Sequence, residues 1–228
     1  MSAVPAAIVK AFGQLGDRAV VAVLVKSIAI TLVVFAGLGV GLYFALAEAG
    51  QRFGVEQGWA GLAAVLLVPI AMWLLFRVVA LAVLQFFADE VVAAVEARHY
   101  PARAAQARPL PLRREVVLAT RGLARALGYN LLALPVAAVL VFTAIGPAVV
   151  FLTVNAVLLG REFTDMAWLR HCAGAERDNP VSRAERVLLG GAIAGMMLVP
   201  FLNFVAPVIG AAAGTHLVLR RLTAGEMR

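Results

Sequence analysis

The sequence predicts an all-α integral membrane protein with two full transmembrane helices, two re-entrant (hemi-penetrating) helical hairpins and an N-terminal amphipathic helix. Hydrophobic residues make up 63% of the 228 residues and charged residues only 14%, whereas a soluble domain carries about 25% charged residues. Two uncharged stretches, residues 126–160 and 187–219, do not fit the membrane in the usual way. A spanning helix needs about 20 apolar residues, and two spans with a turn need roughly 42. Each stretch is therefore too long for one crossing and too short for two.

We predict a single membrane domain over residues 1–228. Its first half contains the amphipathic helix and both full spans. Residues 4–15 carry apolar side chains at a helical period, which predicts a short helix lying in the membrane interface. The first span covers residues 19–48, because residues 27–47 contain no charge. The second span, residues 58–98, is predicted as a long helix that protrudes from the bilayer.

The second half contains the two hairpins, residues 115–160, which include an arginine-bearing entry helix, and residues 180–221. Divided at their proline breaks, the uncharged stretches give arms of about 12 to 17 residues, a length typical of re-entrant segments. The breaks contain Gly146 and Pro147 in the first hairpin, and Pro200, Asn203 and Pro207 in the second.

The distribution of arginine favours hairpins over single crossings. The net charge is +7, and all basic residues except Lys10 and Lys26 are arginine. If both stretches are hairpins, the arginine-rich segments and both termini share the cytoplasmic side. If each stretch crossed once, residues 161–186 with five arginines would lie outside, against the positive-inside rule. We expect these arginines to face anionic lipid, with the bilayer and not nucleic acid as the partner.

Glycine pairs at GxxxG spacing predict close helix packing. We favour packing within one chain over a contact between chains, although we also expect a homo-oligomer. The pairs are Gly37 with Gly41, Gly191 with Gly195, and Gly210 with Gly214.

Signatures of an enzyme are missing from the sequence. His99, His171 and His216 are isolated along the chain, and the catalytic and phosphate-binding motifs of known enzyme classes do not occur. Cys172 is the only cysteine, which excludes an intrachain disulfide and a cysteine-based metal cluster. We therefore expect no catalytic residues, no metal and no cofactor.

Several polar or helix-breaking residues in the apolar segments are candidates for lining a substrate pathway. Broken helices bring amino ends with free N–H groups to membrane depth, where they suit an anion. The alternative is that these residues have structural roles only. The prolines would then turn the chain, the asparagines would form hydrogen bonds between helices, and the arginine side chain would extend to the membrane interface. The pathway candidates are Arg77, Gly146, Pro147, Asn155, Pro200, Asn203 and Pro207.

Two segments resemble a known family. Residues 199–208, V-P-F-L-N-F-V-A-P-V, resemble the last hairpin of the sulfate permeases typified by CysZ. Residues 155–163, N-A-V-L-L-G-R-E-F, resemble the wider etoposide-induced-protein-type domain that includes those permeases. The resemblance implies a permease for sulfate or a related oxyanion in the bacterial inner membrane.

The same resemblance implies a substrate-binding turn before the first span. The family's G-x-R-R motif corresponds to Gly16, Asp17, Arg18 and Ala19 here, so Gly16 and Arg18 are the expected anion-binding residues. Asp17 adds a negative charge, and Ala19 replaces the second arginine. This departure suits an alternative function, a membrane scaffold or biogenesis protein without a transported substrate. An intramembrane enzyme is a third and weaker alternative.

Overall fold

The computed structural model describes residues 3–52, 65–72, 87–108, 110–172, 174–175 and 178–226. Every regular element within these ranges is helical. Contacts between residues divide the chain into two compact units. One combines Met1–Val20 with Ala88–Arg228, and the other is Val21–Phe87.

The described part of the unit Val21–Phe87 consists mainly of one long helix. Helix α2, Arg18–Arg52, has 35 residues and a length of about 52 Å, well over the hydrocarbon thickness of about 30 Å. Residues 65–72 are also helical, and Met72 packs beside Gly39 of α2. The rest of the predicted second span up to residue 86, including Arg77, lies outside the described residues.

The first predicted hairpin is formed by two helices with a short break. Helix α5, Leu112–Val139, continues as a 3₁₀ turn, Leu140–Thr143, and α6 begins at Gly146 and ends at Leu169. Between them Ala144 has a φ of 59°, an uncommon value for a non-glycine residue. The hydroxyl of Thr143 accepts a hydrogen bond of 3.0 Å from the Gly146 N–H, which satisfies one of the free donors at the start of α6.

Helix α6 extends well beyond the uncharged stretch, which ends at residue 160. Its last turns contain the charged residues Arg161, Glu162 and Asp165, yet they also bury Phe163 and Ala167. Arg161 and Asp165 form an ion pair along the helix, with Nε and Oδ2 3.1 Å apart. Tertiary packing of the apolar face therefore continues the helix beyond residue 160, where the predicted hairpin ends.

The second predicted hairpin begins with a capping box. Ser182 accepts a hydrogen bond from the Glu185 N–H, and the Glu185 carboxylate accepts one from the Ser182 N–H. This arrangement satisfies free donors at the start of α7, Arg183–Met197. Burial raises the pKa of Glu185, but hydrogen bonds from Arg221 and Ser182 outweigh it and leave the pKa below its ordinary value.

Helix α8, Leu202–Glu226, completes the second hairpin and lies at the centre of the larger unit. Phe201, in the turn before it, has a φ of 65°. The earlier helices of this unit are α1, Ala3–Gly13, α3, Ala88–His99, and the short α4, Pro101–Ala104. Helix α8 contacts α1, α3, α6 and α7, and its residues 206–219 are buried.

Glycines allow α6 to lie directly against α7 and α8. A Cβ atom at Gly160 would overlap the backbone carbonyl of Arg186, and one at Gly190 would overlap that of Ala156. On α8, Cβ atoms at Gly210 and Gly214 would overlap Phe163 of α6. Such close backbone approach provides contact area where lipid provides no hydrophobic driving force.

Four described helices are long and apolar enough to cross a membrane. This property rests on length and composition alone, and it makes them candidate membrane spans in a structure whose described elements are all helical. The helices are Arg18–Gly50, Val116–Thr143, Gly146–Leu169 and Leu202–Gly225.

Candidate functional site

The turn between α1 and α2 contains the predicted anion-binding residues. The Asp17 N–H donates a hydrogen bond of 2.9 Å to the carbonyl of Gln14, which closes the turn. Gly16 and Arg18 are exposed, and a Cβ atom at Gly16 would meet no atom within 4 Å. Since α2 begins at Arg18, its first N–H groups and the positive end of its dipole lie at this open turn.

The Asp17 carboxylate lies beside two basic side chains of α3. Arg98 Nη1 lies 3.3 Å from Asp17 Oδ1, and His99 Nε2 lies 3.7 Å from Asp17 Oδ2. The Asp17 side chain is only 16% exposed, so its negative charge points toward α3. The negative charge of Asp17 is therefore offset by Arg98, which the sequence places 81 residues away.

A buried hydrogen-bonded cluster connects this turn to α8. Gln14 Nε2 lies 2.6 Å from His216 Nε2, and the Tyr100 hydroxyl lies 2.9 Å from His216 Nδ1. Because an amide NH₂ only donates, His216 Nε2 accepts and its Nδ1–H donates to the Tyr100 oxygen. Gln14 Oε1 is buried without a hydrogen-bond partner. Burial raises the pKa of Tyr100, against a smaller opposing effect of Arg220.

A second buried cluster joins α3 to the end of α6. Glu96 is 0% exposed, and its carboxylate binds Arg170 Nε and His171 Nε2, each at 3.0 Å. The carboxylate thus has a cationic partner on one oxygen and an imidazole on the other. Such an arrangement reduces the large cost of burying a charge. It fixes α3, and with it Arg98 and His99, against the rest of the unit.

Sequence reasoning missed both clusters and treated the three histidines as isolated. In the structure the rings of His99 and His216 lie 5.5 Å apart between centroids, while His171 contacts Glu96. The one usable signal in the sequence is the group of polar residues at the end of α3 and directly after it: Glu96, Arg98, His99 and Tyr100. That group does not indicate which residues it binds.

The pathway candidates of the first hairpin serve local structural roles. Gly146 is buried, and a Cβ atom there would overlap Thr143 and Leu140, so the break requires glycine. Pro147 lies in the first turn of α6, where its missing N–H costs nothing. Asn155 is exposed, and its Nδ2 donates 2.9 Å to the carbonyl of Phe151 in the same helix.

The candidates of the second hairpin lie at the start of α8. Pro200 is exposed in the turn, and Pro207 is inside the helix and buried. Since Pro207 has no N–H, the carbonyl of Asn203 loses its usual helical donor. Asn203 Oδ1 is also buried without a hydrogen-bond partner. The side-chain oxygen of Asn203 and its main-chain carbonyl therefore both lack a donor from α8.

The Gly16–Arg18 turn and the candidates of the second hairpin do not form one site. Asn203 and His216 are 13 residues apart on α8, or about 20 Å along the helix axis at 1.5 Å per residue. The Gly16–Arg18 turn lies near His216, because Gln14 at the start of that turn is hydrogen-bonded to His216. The break of the second hairpin is at the other end of α8. Within the described ranges, no group of three or more His, Cys, Asp or Glu side chains could hold a metal.

Comparison with known families identifies the relatives of this chain. A family model described as "Sulfate transporter CysZ/Etoposide-induced protein 2.4" matches residues 7–207. The match covers most of the 228 residues, from α1 to the Pro207 break, so the chain belongs to this family. No curated protein matches the chain significantly.

Proposed function

We propose that this member of the family is a permease or channel-like transporter for sulfate or a related oxyanion. The observation that carries the proposal is the family match over residues 7–207, together with the open turn that precedes α2. Gly16 and Arg18 provide the chemistry that an oxyanion requires, a guanidinium and backbone N–H groups at the amino end of a helix. The pairing of Asp17 with Arg98 supports the proposal, because it removes the main electrostatic objection to this site.

In this proposal the anion passes from the turn along a path lined by the hairpin breaks. Gly146, Pro147 and Asn155 contribute from the first hairpin. Pro200, Asn203 and Pro207 contribute from the second hairpin, where the unsatisfied amide of Asn203 is the strongest candidate. Buried polar groups without partners at membrane depth persist only against protein or a water-filled cavity.

We further propose that both hairpins are re-entrant, in a bacterial inner membrane with both termini cytoplasmic. The uncharged part of α6 before Arg161 has about 15 residues, or about 22 Å, which is shorter than the hydrocarbon core. Helix α7 has 15 residues in all, or about 22 Å, and is too short to cross. The turns are apolar, with Phe142 94% exposed and Phe201 84% exposed, as expected for turns immersed in hydrocarbon.

A homo-oligomer completes the proposal. Helix α5 exposes a row of leucines in the apolar half that leads to the first break: Leu123, Leu127, Leu131 and Leu134. These residues are spaced three or four apart, so they share one face of the helix. In the proposed oligomer, a second copy of the chain packs on this leucine face, which is otherwise covered by lipid.

Accessibility of single cysteines tests the hairpin topology. In a Cys172→Ala background, Phe142→Cys and Phe201→Cys are expected to resist a membrane-impermeant thiol reagent added to intact cells. The reason is that a re-entrant turn lies in hydrocarbon and opens, if at all, toward the cytoplasm. Gly50→Cys, near the end of α2, is the positive control, because the proposal places that end outside. Labelling of either hairpin variant from outside, at the rate of the control, would show that the hairpin crosses the membrane.

Uptake of radiolabelled sulfate into proteoliposomes tests the transport function. Arg18→Ala is expected to reduce uptake at subsaturating sulfate about tenfold or more, since a charge-assisted hydrogen bond contributes roughly 1.5–3 kcal/mol. The matched control is Arg113→Ala, which removes an exposed arginine of α5 and should leave uptake unchanged. If folded wild-type protein transports no sulfate above empty liposomes, the sulfate permease is excluded, and a non-transporting membrane scaffold becomes the better proposal.

A further inference from the structure

The Gly16–Arg18 turn does not carry enough positive charge by itself to bind a divalent oxyanion. Sulfate has two negative charges at neutral pH. Arg18 contributes one positive charge to the turn, and the adjacent Asp17 cancels it. Opposite charges favour binding and like charges oppose it, so a turn of zero net charge needs a cation from elsewhere in the fold.

Arg98 has the position and the free donors to provide this cation. Its Nη1 lies 3.3 Å from Asp17 Oδ1, and the Arg98 side chain is 58% exposed while that of Asp17 is 16% exposed. A guanidinium has five N–H donors in a planar fork, so one contact with Asp17 leaves most of them available. The exposed part of the fork is open to solvent beside the turn.

The backbone that carries Arg98 is fixed. Val91, Val92 and Val95 of α3 are buried, and α3 packs against α8. The buried Glu96, two residues before Arg98, is bound to Arg170 and His171. A binding residue on a rigid helix is positioned more accurately than one on a loop. Asp17 then fixes the side chain, because its carboxylate restrains an otherwise flexible guanidinium.

We propose that Arg98 is the second cationic contact of the bound oxyanion, and that Asp17 is a positioning residue that holds Arg98 beside the Gly16–Arg18 turn. This inference rests on the proposed permease function. It gives the site a net charge of +1 from Arg18, Arg98 and Asp17, before His99 is considered. His99 also faces Asp17, at 3.7 Å, and adds positive charge only when protonated.

A double-mutant cycle measured by direct binding tests the role of Arg98. Equilibrium binding of radiolabelled sulfate is measured on purified full-length protein at one pH. The variants are Arg98→Ala, Asp17→Asn and the double variant Asp17→Asn/Arg98→Ala. Arg98→Ala is expected to weaken binding about tenfold or more. The double variant is expected to bind about tenfold more weakly than Asp17→Asn alone, because Arg98 touches the anion whether or not Asp17 is charged. Arg98→Lys should recover part of the loss, since it keeps the charge but not the fork.

Two outcomes would overturn the inference while leaving the proposed function intact. If the effect of Arg98→Ala disappears in the Asp17→Asn background, Arg98 only neutralises Asp17 and does not bind the anion. If Arg18→Ala abolishes binding while Arg98→Ala does not, the turn binds sulfate without Arg98. If wild-type protein binds no sulfate, the proposed function fails and this inference fails with it. Thermal unfolding of each variant checks folding, which an ion pair with this exposure should affect little.

Discussion

Replacing Gly160 with alanine is expected to destabilise the protein by about 3 kcal/mol or more, the upper range for overpacking a well-packed core. The added Cβ atom would overlap the carbonyl of Arg186, which belongs to the backbone of α7. A flexible side chain could move aside, but a helix backbone moves only if α6 and α7 separate. Because Gly190 on α7 packs against α6 at the same crossing, separation would also break that contact. The thermal unfolding midpoint in detergent measures the effect.

The control for this prediction is a glycine on the same pair of helices that lacks close neighbours. A Cβ atom at Gly195 of α7 would meet no atom within 4 Å. Gly195→Ala should therefore be neutral or stabilising by up to about 1 kcal/mol, since alanine has the higher helix propensity. If Gly160→Ala unfolds at the same temperature as Gly195→Ala, the close crossing of α6 and α7 is wrong.

The glycine patterns illustrate what the sequence can and cannot predict about the fold. The pair Gly210 and Gly214 is found at an interface within the chain, against Phe163, as the sequence predicted. The pair Gly191 and Gly195 is one residue out of register. The crossing uses Gly190 with Gly160, and Gly195 has open space. Spacing alone predicts that small residues meet a neighbour, but it does not identify the face of α7 that turns inward.

The predicted binding turn shows a second limit. Gly16 and Arg18 follow from a resemblance of local sequence, and the structure places both in an open turn. The partners of that turn come from far along the chain. Gln14 and His216 are 202 residues apart, and Tyr100 and His216 are 116 apart. Polar contacts over such separations depend on how α1, α3 and α8 pack, and the composition of each segment does not contain that information.

The membrane character of the chain was the most predictable property. Uncharged length and arginine distribution are local features, and they predict apolar helices without reference to tertiary contacts. The full length of α6 was less predictable, because the predicted first hairpin ends at residue 160, where the charged residues Arg161, Glu162 and Asp165 begin. Burial of Phe163 and Ala167 on the other face keeps this segment helical. The end of an uncharged stretch therefore does not mark the end of a helix where one face of its charged continuation is packed.

Replacing Glu96 with alanine is expected to cost about 3–5 kcal/mol, the range for breaking a buried ion pair by removing one partner. The variant leaves the Arg170 guanidinium and the His171 ring without the carboxylate that binds both at 3.0 Å. Arg170 can reach water because its side chain is 25% exposed, but His171 is 4% exposed and cannot. Thermal unfolding should therefore show a large loss, and sulfate binding should weaken as well because α3 carries Arg98.

Glu48→Ala is the matched control, since Glu48 also binds an arginine, with Oε1 2.7 Å from Arg52 Nη2. Both of those side chains are mostly exposed, so their ion pair contributes at most about 0.5 kcal/mol. The comparison assigns the large effect at Glu96 to burial and not to the ion pair as such. A double variant, Glu96→Leu/His171→Leu, should recover much of the stability, because it removes the unpaired ring together with the charge. Equal effects of Glu96→Ala and Glu48→Ala would mean that water reaches Glu96, and that α3 is not fixed by this cluster.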